Sequence, residues 1–217
     1  LLKRGAKVDM KDKDGDTALI IASANGDTQV VELLLEHKDT AGKLLITNVD
    51  QPNQHGDTAL MWACEYGHTQ VAEMLLKRGA KVNEKDRYGL TALIAASAHG
   101  LTEVVDLLLK PEWKADKDLQ DKEGNTALMW AIMEGNEEVV KLLLEKGAKV
   151  DLPAKDGDTA LIIASANGDT QVVEWLLGHN ASVNLPNKQE RTALIMACRK
   201  NRHTVSKEGG RADTDRE

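Results

Sequence analysis

With 217 residues, 41% of them hydrophobic and 29% charged, the chain can bury a sizeable core beneath a soluble surface. Its net charge of −7 disfavours nucleic acid, whose phosphates are held by clustered Lys and Arg. No apolar run reaches the roughly 18 residues of a membrane span, and two cysteines imply no disulfide framework and fit a reducing, cytoplasmic setting.

Self-similarity dominates the chain from end to end. The tripeptide Thr-Ala-Leu begins at Thr17, Thr58, Thr91, Thr126, Thr159 and Thr192, at intervals of 41, 33, 35, 33 and 33 residues. The period is therefore 33, with eight residues added once and two added once. Both additions fall between the leucine-rich end of one unit and the next Thr-Ala-Leu. They read as loop insertions that leave the helical register intact.

In chain order, residues 1–11 read as the tail of a unit whose first helix is missing. Residues 12–52 form a complete unit with the eight-residue insertion, 53–85 a second, and 86–120 a third with the two-residue insertion. Units at 121–153 and 154–186 follow, then a partial unit at 187–205 and a disordered polar tail at 206–217. Aligning Val205 with Val172 sets Glu208, Gly209 and Gly210 where Trp175, Leu176 and Leu177 stand, so the second helix of that unit loses its apolar face. The chain reads as a piece of a longer protein.

Each unit predicts two short helices. In the second, Thr58 caps a first helix whose body is Ala59 to Cys64, and Gly67 ends it in a left-handed conformation. A second helix follows from about His68, with Val71, Met74, Leu75 and Leu76 on one face, and Gly79 stops it. Gly5 and Gly147 repeat that stop, and Asn180 replaces it with the other residue that tolerates the left-handed region. The connecting loops, such as Asp12-Lys13-Asp14-Gly15 and Asp86-Arg87-Tyr88-Gly89, predict tight turns. The segments Asp14–Glu32 and Asp156–Glu174 are identical over 19 residues, an internal duplication.

The period, the Gly-x-Thr-x-Leu opening, the mid-unit Gly, the Val-Val-x-x-Leu-Leu second helix and the Gly-Ala-x-Val-Asn/Asp ending together resemble the ankyrin repeat over about residues 1–205. Two departures are systematic: Ala18, Ala59, Ala92, Ala127, Ala160 and Ala193 stand where the family has Pro, and Ile20, Met61, Ile94, Met129, Ile162 and Ile195 where it has His. The resemblance implies an all-α solenoid of stacked helical repeats with short turn or hairpin loops, which binds a protein partner on its concave face. No motif supports catalysis within these residues, and neither enzyme activity nor a cofactor is expected. The alternative is a regulatory or targeting segment of a larger enzyme or channel.

Several motifs point elsewhere and do not hold. Asp12-x-Asp14-x-Asp16 resembles a calcium loop, but that loop needs Gly and Glu where Thr17 and Ser23 stand, so a solvated turn is expected. Cys64 and Cys198 share one slot four units apart, too far to pair, and both are expected in the core. The cations around each second-helix stop, among them Lys77, Arg78, Lys81, Lys146 and Lys149, complement the helix dipole. Trp62 and Trp130 share a packing slot, whereas Trp113, in the two-residue insertion, is expected to face solvent.

The places that vary between units are the loop tips and the ends of the first helices. In the second and third complete units they are Gln54, His55, Asp57, Glu65 and Tyr66, then Arg87, Tyr88, Leu90, Ala98 and His99. Both tyrosines of the chain fall in these adjacent units. Interface anchors favour Tyr, Trp and Arg, so the expected partner site is Tyr66, Arg87, Tyr88, Leu90 and His99, with Met133. The expected molecule is a cytoplasmic monomer, without metal, nucleic acid or membrane insertion.

Overall fold

A computed structural model describes residues 1–38 and 42–208, the side chains of Lys3 and of 201–208 excepted. Among them are eleven α-helices and no strand beyond two isolated bridges. A 3-10 turn at Leu2–Arg4 comes first. The helices then pair as α1 (Ala18–Ala24) with α2 (Thr28–Glu36), α3 (Ala59–Glu65) with α4 (Thr69–Lys77), and α5 (Ala92–Ala98) with α6 (Thr102–Leu108). The series continues with α7 (Ala127–Met133) and α8 (Glu137–Glu145), then α9 (Ala160–Asn167) and α10 (Thr170–Gly178), and ends on α11 (Ala193–Glu208). The expected tail is helical to Glu208, and residues 209–217 lie outside the described residues.

The sequence explains these short helices. Thr17, Thr58, Thr91, Thr126 and Thr159 each accept the N–H three residues on, at 3.2–3.4 Å, which fixes the start of every complete first helix. Each first helix is then apolar nearly all round. In α3, Ala59, Leu60, Met61, Ala63 and Cys64 are buried, and only the fourth and last positions reach outward. Such a helix must be covered on three sides. Its own second helix covers one side and the first helices of the adjoining units cover two more. Ala22, Ala63, Ala96, Ala131 and Ala164, all buried in the same slot, let these backbones approach. The second helices are amphipathic, with Val71, Ala72, Leu75 and Leu76 buried in α4 and Val139, Val140, Leu143 and Leu144 in α8.

Substantial helix contacts run only within a unit or between consecutive units. Two parallel stacks result, α1-α3-α5-α7-α9-α11 and α2-α4-α6-α8-α10, and the core is one apolar cluster drawn from both along the length of the array. The duplicated segments show how far neighbours set burial. Val31 is buried and Val30 exposed in α2, yet in α10 Val172 is buried and Val173 only partly so. The sequence is the same; the flank that carries an adjoining second helix is opposite.

The insertions keep the register, as expected. The eight-residue excursion closes on a Lys38–Leu44 bridge and lays Leu45, Ile46 and Val49 against the core. The two-residue one corrects an expectation. Trp113 is partly buried against the core with its indole Nε1 shielded from solvent, because the added residues fold the ring inward where it covers apolar surface.

Candidate functional site

The connecting loops stand beside the first helices. Their turns are held by a side chain at the first loop position: the Oδ1 of Asp12, Asn53, Asp86, Asp121 and Asn187 each accepts the N–H groups two and four residues on, at 2.7–3.0 Å. The Asp12 run is thus a turn whose carboxylate is engaged by backbone. At Ala154 the device is absent, and Asp156 Oδ1 takes only the Asp158 N–H.

A backbone ladder joins successive loop tips. Gln54, Arg87, Lys122, Lys155 and Lys188 donate their N–H groups to the carbonyls of Asp14, His55, Tyr88, Glu123 and Asp156, at 2.7–3.2 Å. The adjoining glycines sit at positive φ and so close to the next unit that a Cβ on Gly89 would lie 2.8 Å from Lys122 N. The glycine is required twice over, by backbone conformation and by close approach.

Loop tips and first-helix ends lie alongside one another: the Trp130 indole of α7 reaches the loop residue Asp121, and Glu65 at the end of α3 is within electrostatic reach of Asp57 and Asp86. Arg87 and Tyr88 stand on the loop side, both exposed. Tyr66 and His99 cap the C-termini of α3 and α5, and Met133 ends α7. Tyr66 and Tyr88 are each 54% exposed and Met133 38%. Leu90 is half-buried and packs on the core. Of these six, among the described residues, only Arg87 and Tyr88 are joined by a hydrogen bond or ring contact. The Arg87 guanidinium lies 4.7 Å from the Tyr88 ring centre and donates to its Oη at 2.7 Å.

Around Tyr66 the structure adds residues that were not among the six. Trp62 stacks on it with ring centres 5.6 Å apart, and the His68 ring lies 6.3 Å away. The His68 Nε2 meets the Ala24 carbonyl at 3.0 Å, and Asn136 Nδ2 donates to Ser97 O and Ala98 O in the same manner, so these two tie consecutive units. Glu65 is half-buried and makes no hydrogen bond or ion pair among the described residues, within electrostatic reach of Asp57, Asp86 and His99. Burial holds its carboxyl above the ordinary range, with Asp57 and Asp86 pushing the same way and His99 opposing. Burial also raises Asp57, against the Asn53 amide that hydrogen-bonds it at 3.2 Å.

Trp130 Nε1 donates to Asp121 at 2.8 Å, whereas the equivalent Trp62 Nε1 is buried without a partner. Asn53 stands where Asp121 does. Its Oδ1 is taken by backbone and its Nδ2 faces Asp16 and Asp57, so no acceptor is left for the indole. Two of the cations at the helix ends are paired as well as dipole-placed: Lys77 with Glu73 at 2.8 Å, Lys146 with Asp106 at 3.1 Å.

Cys64 is buried, and desolvation drives its thiol well above the ordinary range. Cys198 is exposed, which corrects the expectation of two core cysteines; no unit packs on that flank of α11 among the described residues. Among them, too, no group of three or more His, Cys, Asp or Glu could hold a metal ion. No helix of the structure is long and apolar enough to cross a membrane, among the described residues.

Comparison with known proteins follows this geometry. The family model described as "Ankyrin repeats (3 copies)" matches residues 1–86, 79–154 and 149–208. Among solved structures the chain is similar to the ankyrin repeat domain of Bcl-3, described as a unique member of the IkappaB protein family. That similarity has a TM-score of 0.78 at 30% identity, over 90% of this chain and 84% of that one. No curated protein sequence matches the chain.

Proposed function

Since this chain belongs to the ankyrin-repeat family, whose repeats are in general protein-interaction modules, we propose that it binds a protein partner in the groove between its loop tips and first helices. One observation carries the reading. Over a repeated buried frame, the loop tips and first-helix ends expose two large aromatic side chains, Tyr66 and Tyr88, in adjacent units. Exposed aromatics flanked by polar groups are the usual anchors of protein interfaces. The partner site is Tyr66, Arg87, Tyr88, Leu90, His99 and Met133, and no catalytic step is assigned to any residue. The reading includes a monomeric, cytoplasmic protein, where a reducing compartment keeps the exposed Cys198 from crosslinking copies.

The test is the affinity of a protein partner isolated on the full chain. Tyr88→Ala is expected to weaken it by about 1–3 kcal/mol, with thermal stability changed by no more than about 0.5 kcal/mol. Unchanged affinity in the double variant Tyr66→Ala plus Tyr88→Ala removes the site.

A further inference from the structure

The two groove tyrosines are not equivalent. Tyr88 carries a cation of its own chain, Arg87, over its ring. One unit away, Tyr66 has Trp62 against one side and no cation over its ring among the described residues. Two carboxylates belong to the same region, Glu65 next to it in the chain and Asp57 within electrostatic reach of Glu65. Glu65, its chain neighbour, is half-buried with no hydrogen-bonding or ionic partner among the described residues, and Asp57 is held by the single amide of Asn53. Asp14 and Asp16 extend the acidic lining into the first complete unit, against Lys13 alone on that stretch.

A half-buried carboxylate that no hydrogen bond holds has given up water with only the electrostatic pull of His99 in return. A cation set between it and an exposed aromatic face would restore that loss and gain ring attraction as well. Guanidinium suits the place better than ammonium: it is flat, stacks on rings, and meets carboxylates with paired N–H donors. The Arg87–Tyr88 pair shows the same chemistry one unit along.

We propose that the groove centre receives an arginine side chain of the protein partner, its guanidinium stacked on Tyr66 and bonded to Glu65 and Asp57. This rests on the reading of the groove as the partner site. The raised proton affinity of both carboxyls agrees with it, since a bound cation would return them to the ionised form.

The probe is a nona-arginine peptide titrated into the full chain, followed by tryptophan fluorescence at about 150 mM salt, where distant charges are screened. Glu65→Gln plus Asp57→Asn is the groove variant. Glu32→Gln plus Glu174→Gln is the control; it removes two charges from exposed places on the second helices. The groove variant is expected to bind about ten-fold more weakly or worse, and the control within about two-fold of the unaltered chain. Tyr66→Leu is expected to weaken binding as Tyr66→Phe does not. Equal weakening by groove variant and control would mean that overall charge alone draws the peptide, and would overturn the proposal. So would absence of nona-arginine binding by the unaltered chain, or equal binding by Tyr66→Leu. If the proposal fails while an isolated partner still depends on Tyr66 and Tyr88, the groove reading stands and only the arginine is wrong. Loss of that tyrosine dependence sinks the groove reading itself.

Discussion

Replacing Gly89 with alanine tests how the units are joined. Gly89 has φ +82, and a Cβ there would lie 2.8 Å from Lys122 N and 3.1 Å from the Cα and carbonyl carbon of Asp121. Both are backbone of the next unit, which cannot swing aside as a side chain would. The left-handed conformation alone costs alanine about 1–2 kcal/mol. Parting the tips stretches the 2.8 Å bond from Lys122 N–H to the Tyr88 carbonyl, worth about 0.5–1.5 kcal/mol more. The expected total is about 1.5–3.5 kcal/mol. Gly79 is the control: its φ is +86, but nothing lies within 4 Å of a Cβ there, so Gly79→Ala should cost only the conformational term. Urea and thermal unfolding of the two variants compare them directly, each kcal/mol shifting Tm by about 2–4 °C at this chain length. Equal destabilisation by Gly79→Ala and Gly89→Ala would refute the claim that close approach at the tips holds consecutive units together.

Other outcomes follow from the same structure. Thr126→Ala removes the hydroxyl that accepts the Met129 N–H at 3.3 Å and should cost about 0.5–2 kcal/mol in urea unfolding. Ala154→Asn supplies the loop acceptor that the Asp156 N–H lacks, and a second one for the Asp158 N–H that Asp156 Oδ1 already takes, and should stabilise by about 0.5–1.5 kcal/mol, read as a rise in the urea midpoint. Asp57→Asn should shift the pH dependence of stability. The folded-state affinity of Asp57 for its proton is raised, chiefly by burial, so its favourable contribution is full below the unfolded carboxyl value and is lost as pH rises through the higher folded one. The variant should therefore gain on the unaltered chain between about pH 4 and pH 7, and a gap that widens toward acid in parallel melts contradicts the assignment.

Much of this was legible because a fixed period turns one good local reading into many. Threonine before an apolar helix, glycine after it, and Asn180 in a glycine slot all mean the same backbone event wherever they recur. The structure gives Asn180 a φ of +62 and places the five complete-unit threonines as caps. Legibility failed where a neighbour outside the repeat decides. Cys198 has the sequence surroundings of a core residue but lies on a flank that no unit covers among the described residues. Trp113, in an insertion, follows no periodic rule, and an apolar ring beside open core surface folds in. In the groove, sequence marked the tyrosines as equals, since composition cannot say that Arg87 turns onto Tyr88. Nor can it say that Glu65 and Asp57 are half-buried, because burial depends on how residues distant in the chain pack around them.

The ladder between loop tips joins main chain to main chain: a carbonyl from one unit, an N–H from the next, and a glycine beside them. Such a joint is blind to the side chains it passes. A gene could therefore copy one unit into another place without redesigning either border, and the identical stretches Asp14–Glu32 and Asp156–Glu174 have the form of such a copy. Once in place, a copied unit is free to diverge along its outward row. Asp14, His55, Tyr88, Glu123 and Asp156, which all offer the same carbonyl to the unit that follows, present five tips with four different side chains.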